Sequence, residues 1–334
     1  MLLLVVHVGC VRPIAAFSCK TSDQCIAGDV CQPLGFCSFS DVDCPSGQRY
    51  EAASGALGGV CVGDEPGSGN DAPTGCDLAK PFGAPVAVDG LMPSIEDASL
   101  RLSPDETTGY FFSARTGKKL LYTAHRPNAT AAFSNVQVLA NVNAGDQYNP
   151  AISPDGFTLF FATYQGTNNN DIFQASRSES TSDFTSPHAA LNVNTTASEV
   201  QPYITRDSST MYFVRTVETT QTVLRAVGSV TAGFTNPTVV TEIVGPTNDS
   251  DPVLSADGLT LYWGSDRPGG LGDVDIWQAQ RAPGATEFGM LAPLDSVNTS
   301  GFDAPSDVSG DGCRLYITSK RDGRTGIYVA TRPP

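Results

Sequence analysis

The stretch Leu254-Ser255-Ala256-Asp257-Gly258-Leu259-Thr260-Leu261-Tyr262-Trp263-Gly264-Ser265-Asp266-Arg267 decides the fold, because its skeleton recurs along the chain. The skeleton is Ser/Thr-x-Asp, then an aromatic or apolar pair five or six positions on. It appears as Ser103-Pro104-Asp105 with Tyr110-Phe111, Ser153-Pro154-Asp155 with Phe160-Phe161, and Thr205-Arg206-Asp207 with Tyr212-Phe213. A last copy is Ser309-Gly310-Asp311 with Tyr316-Ile317, and the Asp-to-Asp intervals are 50, 52, 50 and 54 residues.

Two more landmarks keep this register. An apolar residue followed two places later by Ala falls at Tyr122, Phe173, Leu224, Trp277 and Tyr328, and a lone Phe falls at Phe82, Phe133, Phe184, Phe234 and Phe288. Each unit carries signals for four short strands joined by turns, which at a period near 50 predicts an all-β, five-bladed β-propeller of four-stranded blades. The last copy stops after its third strand at Pro334, while Phe82–Val88 precedes the first complete copy. That N-terminal strand is therefore expected to close the last blade, removing the exposed edges of an open array.

Composition narrows the function. Of 334 residues only 16% are charged, the net charge is −15, and Gly (33) and Pro (23) are abundant. An acidic, turn-rich chain gains nothing from counterion release, so nucleic acid is excluded as a partner and anionic membrane surfaces are disfavoured. The apolar run Met1–Gly9 is too short to span a bilayer. Ending in Gly9-Cys10, it reads as a signal segment over 1–16 with Cys10 as a lipid attachment site, or alternatively as a signal cleaved after Ala15-Ala16.

Nine cysteines without zinc spacing predict disulfides in an oxidising compartment. Cys19, Cys25, Cys31, Cys37, Cys44 and Cys61 supply a cysteine-rich module over 17–61 in which the connectivity is open. Cys76 and Cys313 remain as a long-range pair that would staple the closing strand to the blade it completes. Residues 62–78 read as a flexible linker and 79–334 as the propeller.

Residues Leu254-Ser255-Ala256-Asp257-Gly258, Leu261-Tyr262-Trp263, Ser265-Asp266-Arg267 and Asp275-Ile276-Trp277 resemble the WD-like (PD40) propeller repeats of the TolB family of bacterial cell envelopes. The resemblance spans about three quarters of the chain. It implies a binding or interaction module rather than a catalyst; the chain is accordingly expected to be an exported, non-enzymatic protein of the bacterial outer membrane, periplasm or cell surface, and its loop face and tunnel mouth are expected to meet an envelope protein or glycan. The N-terminal module resembles cysteine-rich modules that follow a lipid anchor in some bacterial surface proteins.

The repeat aspartates Asp105, Asp155, Asp207, Asp257 and Asp311 are read as hairpin-turn residues, and Asp266 and Arg267 as anchors of a strand end. The segment before each repeat is expected to line the central tunnel. It carries Glu96, Asp97, Asn149, Glu199, Gln201, Asp249, Asp251 and Asp303. Asp97, Asn149, Gln201, Asp251 and Asp303 are the expected ligand contacts at the tunnel mouth. The alternative is a glycoside hydrolase or lyase using Asp97, Glu199, Asp251 and Asp303, since such enzymes need paired carboxylates. His125 and His188 stand outside any catalytic motif, and no metal or cofactor is expected beyond loop or tunnel calcium. A monomer is expected, touching a membrane only through the N-terminal lipid.

Overall fold

The computed structural model describes residues 22, 25, 29–31, 37–40, 48–50 and 75–334, except 92–95, 144, 165, 167 and 168. Cys10, Cys19, Cys44, Cys61, the signal segment and most of the linker lie outside the described residues. The chain divides into two compact units, Met1–Ala72 and Pro73–Pro334. In the first, β1 (Val30–Cys31), β2 (Cys37–Ser40) and β3 (Gln48–Tyr50) form an antiparallel sheet. The Cys25–Cys37 disulfide lies in this unit, and Cys31 is also disulfide-bonded.

The second unit is a five-bladed propeller. Blade 1 is β5 (Asp97–Leu102), β6 (Thr108–Ser113), β7 (Leu120–His125) and β8 (Ser134–Val138). Blade 2 is β9 (Gln147–Ile152), β10 (Thr158–Tyr164), β11 (Asn170–Ser176) and β12 (Thr185–Ala189). Blade 3 is β13 (Ser198–Ile204), β14 (Thr210–Val217), β15 (Thr220–Ser229) and β16 (Gly233–Val239). Blade 4 is β17 (Asp249–Leu254), β18 (Thr260–Ser265), β19 (Asp275–Gln280) and β20 (Gly289–Pro293). Blade 5 is β21 (Asp303–Val308), β22 (Arg314–Ser319) and β23 (Gly326–Thr331), completed by β4 (Val86–Ala87). The closing strand pairs as Tyr328↔Ala87 and Val329↔Val86, and β21 packs beside β5 to complete the ring of innermost strands. Cys76 and Cys313 are bonded at this closure.

The repeat landmarks are structural. Each repeat Asp accepts a backbone N–H two residues on, from Thr107, Phe157, Ser209, Leu259 or Cys313, at 2.9–3.0 Å. The residue after it takes positive φ, which Gly156, Gly258 and Gly312 adopt without cost and Glu106 and Ser208 adopt as exceptions. The landmark Phe residues are buried under a guanidinium: Arg126 over Phe133, Arg177 over Phe184, Arg281 over Phe288 and Arg332 over Phe82, at 3.9–4.6 Å.

Three of these arginines also reach the preceding blade. Arg177 donates to Tyr110 Oη at 3.2 Å, Arg332 to Tyr262 Oη at 3.3 Å and Arg126 to Tyr316 Oη at 2.9 Å. Arg281 lines one cleft together with Tyr212 in the same register. At the blade 2–3 seam both partners are absent at once, because Phe160 replaces the Tyr and Gly228 the Arg. Gly228 could not host an arginine without rearrangement, since a Cβ there would lie 2.1 Å from Gly233 O. Phe160 instead packs edge-on against Phe234, with ring centroids 6.1 Å apart.

Candidate functional site

The inner strands present two different sets of polar residues. At the first inner-strand position, Asp97, Glu199, Asp249 and Asp303 are each at most 2% exposed, and each meets an arginine. Arg115 reaches Asp97 at 2.7 Å, Arg215 reaches Glu199 at 2.7 Å, Arg267 reaches Asp249 at 2.6 Å and Arg321 reaches Asp303 at 3.0 Å. Backbone N–H groups of Thr195, Gly245 and Thr299 occupy further oxygens of Glu199, Asp249 and Asp303. The arginines run on to the carbonyls of Val193, Ile243 and Val297, tying the preceding loop to the inner strand.

Exchanges between blades identify these pairs as scaffolding. In blade 3 the arginine sits two positions earlier, at Arg215, and the acid lengthens to Glu199, so the bridge is kept. In blade 2 the acid becomes Gln147, and the position two residues after Thr163 becomes Gln165, so both charges are lost together. A buried carboxylate without its cation costs several kcal/mol, and the repeats change both partners or neither.

The third inner-strand position forms the other set. Ser99, Asn149, Gln201 and Asp251 take positive φ of 49–56° within β-bulges of blades 1 to 4. A bulge breaks the alternation that would place the first and third residues on one face. The third residues are thereby turned to line a tunnel-mouth cavity of about 230 Å3, shared with Glu96, Phe112, Phe302, Thr318 and Lys320. Within it Asn149 Nδ2 donates to Ser99 Oγ at 3.0 Å, Asp251 N donates to Gln201 Oε1 at 3.1 Å, and Ser99 N donates to Thr318 Oγ1 at 2.9 Å. Burial pushes the Asp251 carboxyl up to about 6, against hydrogen bonding from Ser250 and the charge of Arg101.

Of the expected contacts, the structure gathers Asn149, Gln201 and Asp251 in one cavity and places Asp97 and Asp303 in arginine pairs apart from it. Glu199 is likewise paired, so Asp251 is the one hydrolase candidate that lines the mouth. His125 and His188 are exposed on β7 and β12. Among the described residues no group of three His, Cys, Asp or Glu side chains is placed to hold a metal ion.

Sequence reading missed Arg101. This guanidinium is 6% exposed and crosses the tunnel below the cavity, donating to the carbonyls of Ser306 in blade 5 and Pro202 in blade 3. It lies 5.2 Å from the centre of the Tyr203 ring. Burial pulls its pKa down, and Asp307, Tyr203 and Asp251 oppose that shift. A lone Arg between Leu100 and Leu102 in an innermost strand was the available signal.

No family model and no curated protein matches the chain. A thermostable family-43 glycoside hydrolase is similar in structure at 13% identity, covering 74% of this chain and 91% of that one, with a TM-score of 0.53. The endo-arabinase from Bacteroides thetaiotaomicron VPI-5482 is similar at 12% identity, covering 74% and 97%, with a TM-score of 0.51. TolB from Acinetobacter baumannii is also among the neighbours, at 15% identity and a TM-score of 0.45 over 72% of this chain and 55% of that one. This chain thus spans about half the length of that TolB. At such identities the likeness to the family-43 hydrolase and the endo-arabinase is one of fold alone, the β-propeller.

Proposed function

We propose that the propeller is a non-enzymatic binding module of an exported protein, and that its tunnel mouth takes a polar, uncharged or cationic group of an envelope glycan or protein. The observation that carries this reading is the removal of three candidate acids into arginine pairs. What remains is a cavity with amide, hydroxyl and carboxylate groups between Phe112 and Phe302. Aromatic faces beside a few oriented polar groups suit recognition of sugars or side chains. The disulfides support residence in an oxidising compartment.

A hydrolase reading is supported by one observation, the raised pKa of Asp251, which suits a general acid. It requires a second carboxylate across the cavity, and Glu96 at the rim is the available one. Binding and turnover measured on the same glycans separate the two readings. Binding by calorimetry that is weakened at least tenfold in Asp251→Asn and Gln201→Ala, with no reducing sugar released, supports the module. Sugar release abolished in both Asp251→Asn and Glu96→Gln overturns it in favour of the hydrolase.

A further inference from the structure

At the opposite end of the tunnel the innermost strands run into the repeat hairpins, and the second hairpin residue is Pro104, Pro154, Arg206, Ala256 or Gly310. A cavity of about 50 Å3 lies there, lined by Arg101, Glu106, Tyr203, Arg206 and Asp307 among others. Its polar groups are unevenly satisfied. Asp307 accepts the backbone N–H groups of Leu102 and Val308 at 2.7 and 2.9 Å. Glu106 is held by Arg126, Arg314 and Tyr316, and the Tyr203 hydroxyl donates to Leu254 O at 2.8 Å. The hydroxyls of Ser103 and Ser153 donate to their own repeat aspartates.

Two donors are left over. Arg101 Nε is buried with no acceptor among the described residues, although both terminal nitrogens of the same guanidinium are bonded. Arg206 makes no hydrogen bond or ion pair among the described residues and feels Asp307 only through space. Glu106 is taken up by its own arginines, while Arg101 is coupled through space to Asp307 and Asp251, and Arg206 to Asp307. An unmet buried N–H such as that of Arg101 Nε costs about 1–3 kcal/mol, whereas Arg206 is half-buried.

From these two unpartnered guanidinium groups on one cavity we propose that the hairpin end of the tunnel is a binding site for one small monovalent anion, a halide or a formate-sized carboxylate, held by Arg101 Nε and the Arg206 guanidinium. The site has a lining separate from that of the Asp251 mouth. An anion satisfies both donors with charge-assisted hydrogen bonds. It also fixes Arg101, whose terminal nitrogens join blades 3 and 5.

Excess line broadening of the chloride-35 resonance by the full chain, at constant ionic strength, tests the site. The expected result is saturable broadening that Arg206→Gln reduces at least tenfold in affinity, with Arg324→Gln, at an exposed arginine, unchanged. Arg101→Lys, which keeps the charge but removes Nε–H, is expected to act like Arg206→Gln. Should it fail to fold, Arg206→Gln alone decides. Displacement by formate assigns the site to small carboxylates as well as halides, and failure of formate to displace chloride restricts it to halides. No saturable broadening in the native protein, or broadening unchanged in Arg206→Gln, means the cavity holds only water and overturns the proposal.

Discussion

The seam that closes the ring and the seam between blades 2 and 3 are built from the same repeat positions and hold together by different means. At the closure Tyr316 and Arg126 form the inter-blade bond, and Glu106 adds contacts to Arg126, Arg314 and Tyr316 at 2.7–3.3 Å. The Cys76–Cys313 disulfide spans the same blade. At the blade 2–3 seam Phe160 and Gly228 put apolar packing in place of the Tyr–Arg bond, and the polar link there is Asn170 donating to Ser198 Oγ at 2.9 Å. The break in the chain falls inside blade 5, between β23 and β4, and there the covalent reinforcement sits; the seam of that blade with blade 1 adds Glu106 to the Tyr–Arg bond that two other seams also carry. The blade 2–3 seam has neither the disulfide nor the Tyr–Arg bond.

The largest expected effect comes from removing the covalent part. Cys76→Ala with Cys313→Ala is expected to lower stability by about 4–5 kcal/mol, as for a bridge closing a very long loop, with hydrogen exchange rising first in β4 and β23. If the blade 2–3 seam exchanges first instead, the comparison is broken. Glu106→Ala, which strands the buried Arg126 and leaves Arg314 only Asp311, is expected to cost about 3 kcal/mol in denaturant unfolding.

Asp251 gives a control away from both seams. Its carboxyl is pushed up to about 6 in the folded chain, so the native state binds more protons than the unfolded one between about pH 4 and 6. Stability from this group therefore falls as pH rises through that window. Asp251→Asn is expected to match the native protein at pH 4 and exceed it by about 3 kcal/mol at pH 7.5, without altering either seam's exchange.

The smallest effects sharpen the comparison most. Tyr110→Phe removes the bond to Arg177 and is expected to cost about 1.5 kcal/mol. Phe160→Tyr adds a hydroxyl where no arginine waits, and a loss of about 1 kcal/mol is expected. A gain in stability from Phe160→Tyr would show that the blade 2–3 seam lacks nothing but that hydroxyl.

Blade number and the shared last blade were legible because the landmarks repeat in phase, and the Cys76–Cys313 pairing because these two cysteines remain outside the N-terminal module. The partition of the inner strand was not. Read by strict alternation, Asp249 and Asp251 share a face, yet the bulge at Asp251 turns one to an arginine and the other to the tunnel mouth. Bulges leave no mark in a hydrophobic pattern, whereas the lone Arg101 between Leu100 and Leu102 does break one. The inter-blade bond was readable in principle, since Phe160 and Gly228 depart from the repeat together.

The shared blade also fixes an order of events during synthesis. A chain delivered N-terminus first presents Cys76 and the β4 segment 237 residues before Cys313 emerges, with Cys61 close by in sequence throughout. The native pairing is therefore the last to become available, and any earlier oxidation of Cys76 must be undone by thiol–disulfide exchange before the ring can shut. Maturation of this protein is expected to be sensitive to the disulfide-isomerising capacity of its compartment, more than to the oxidising capacity.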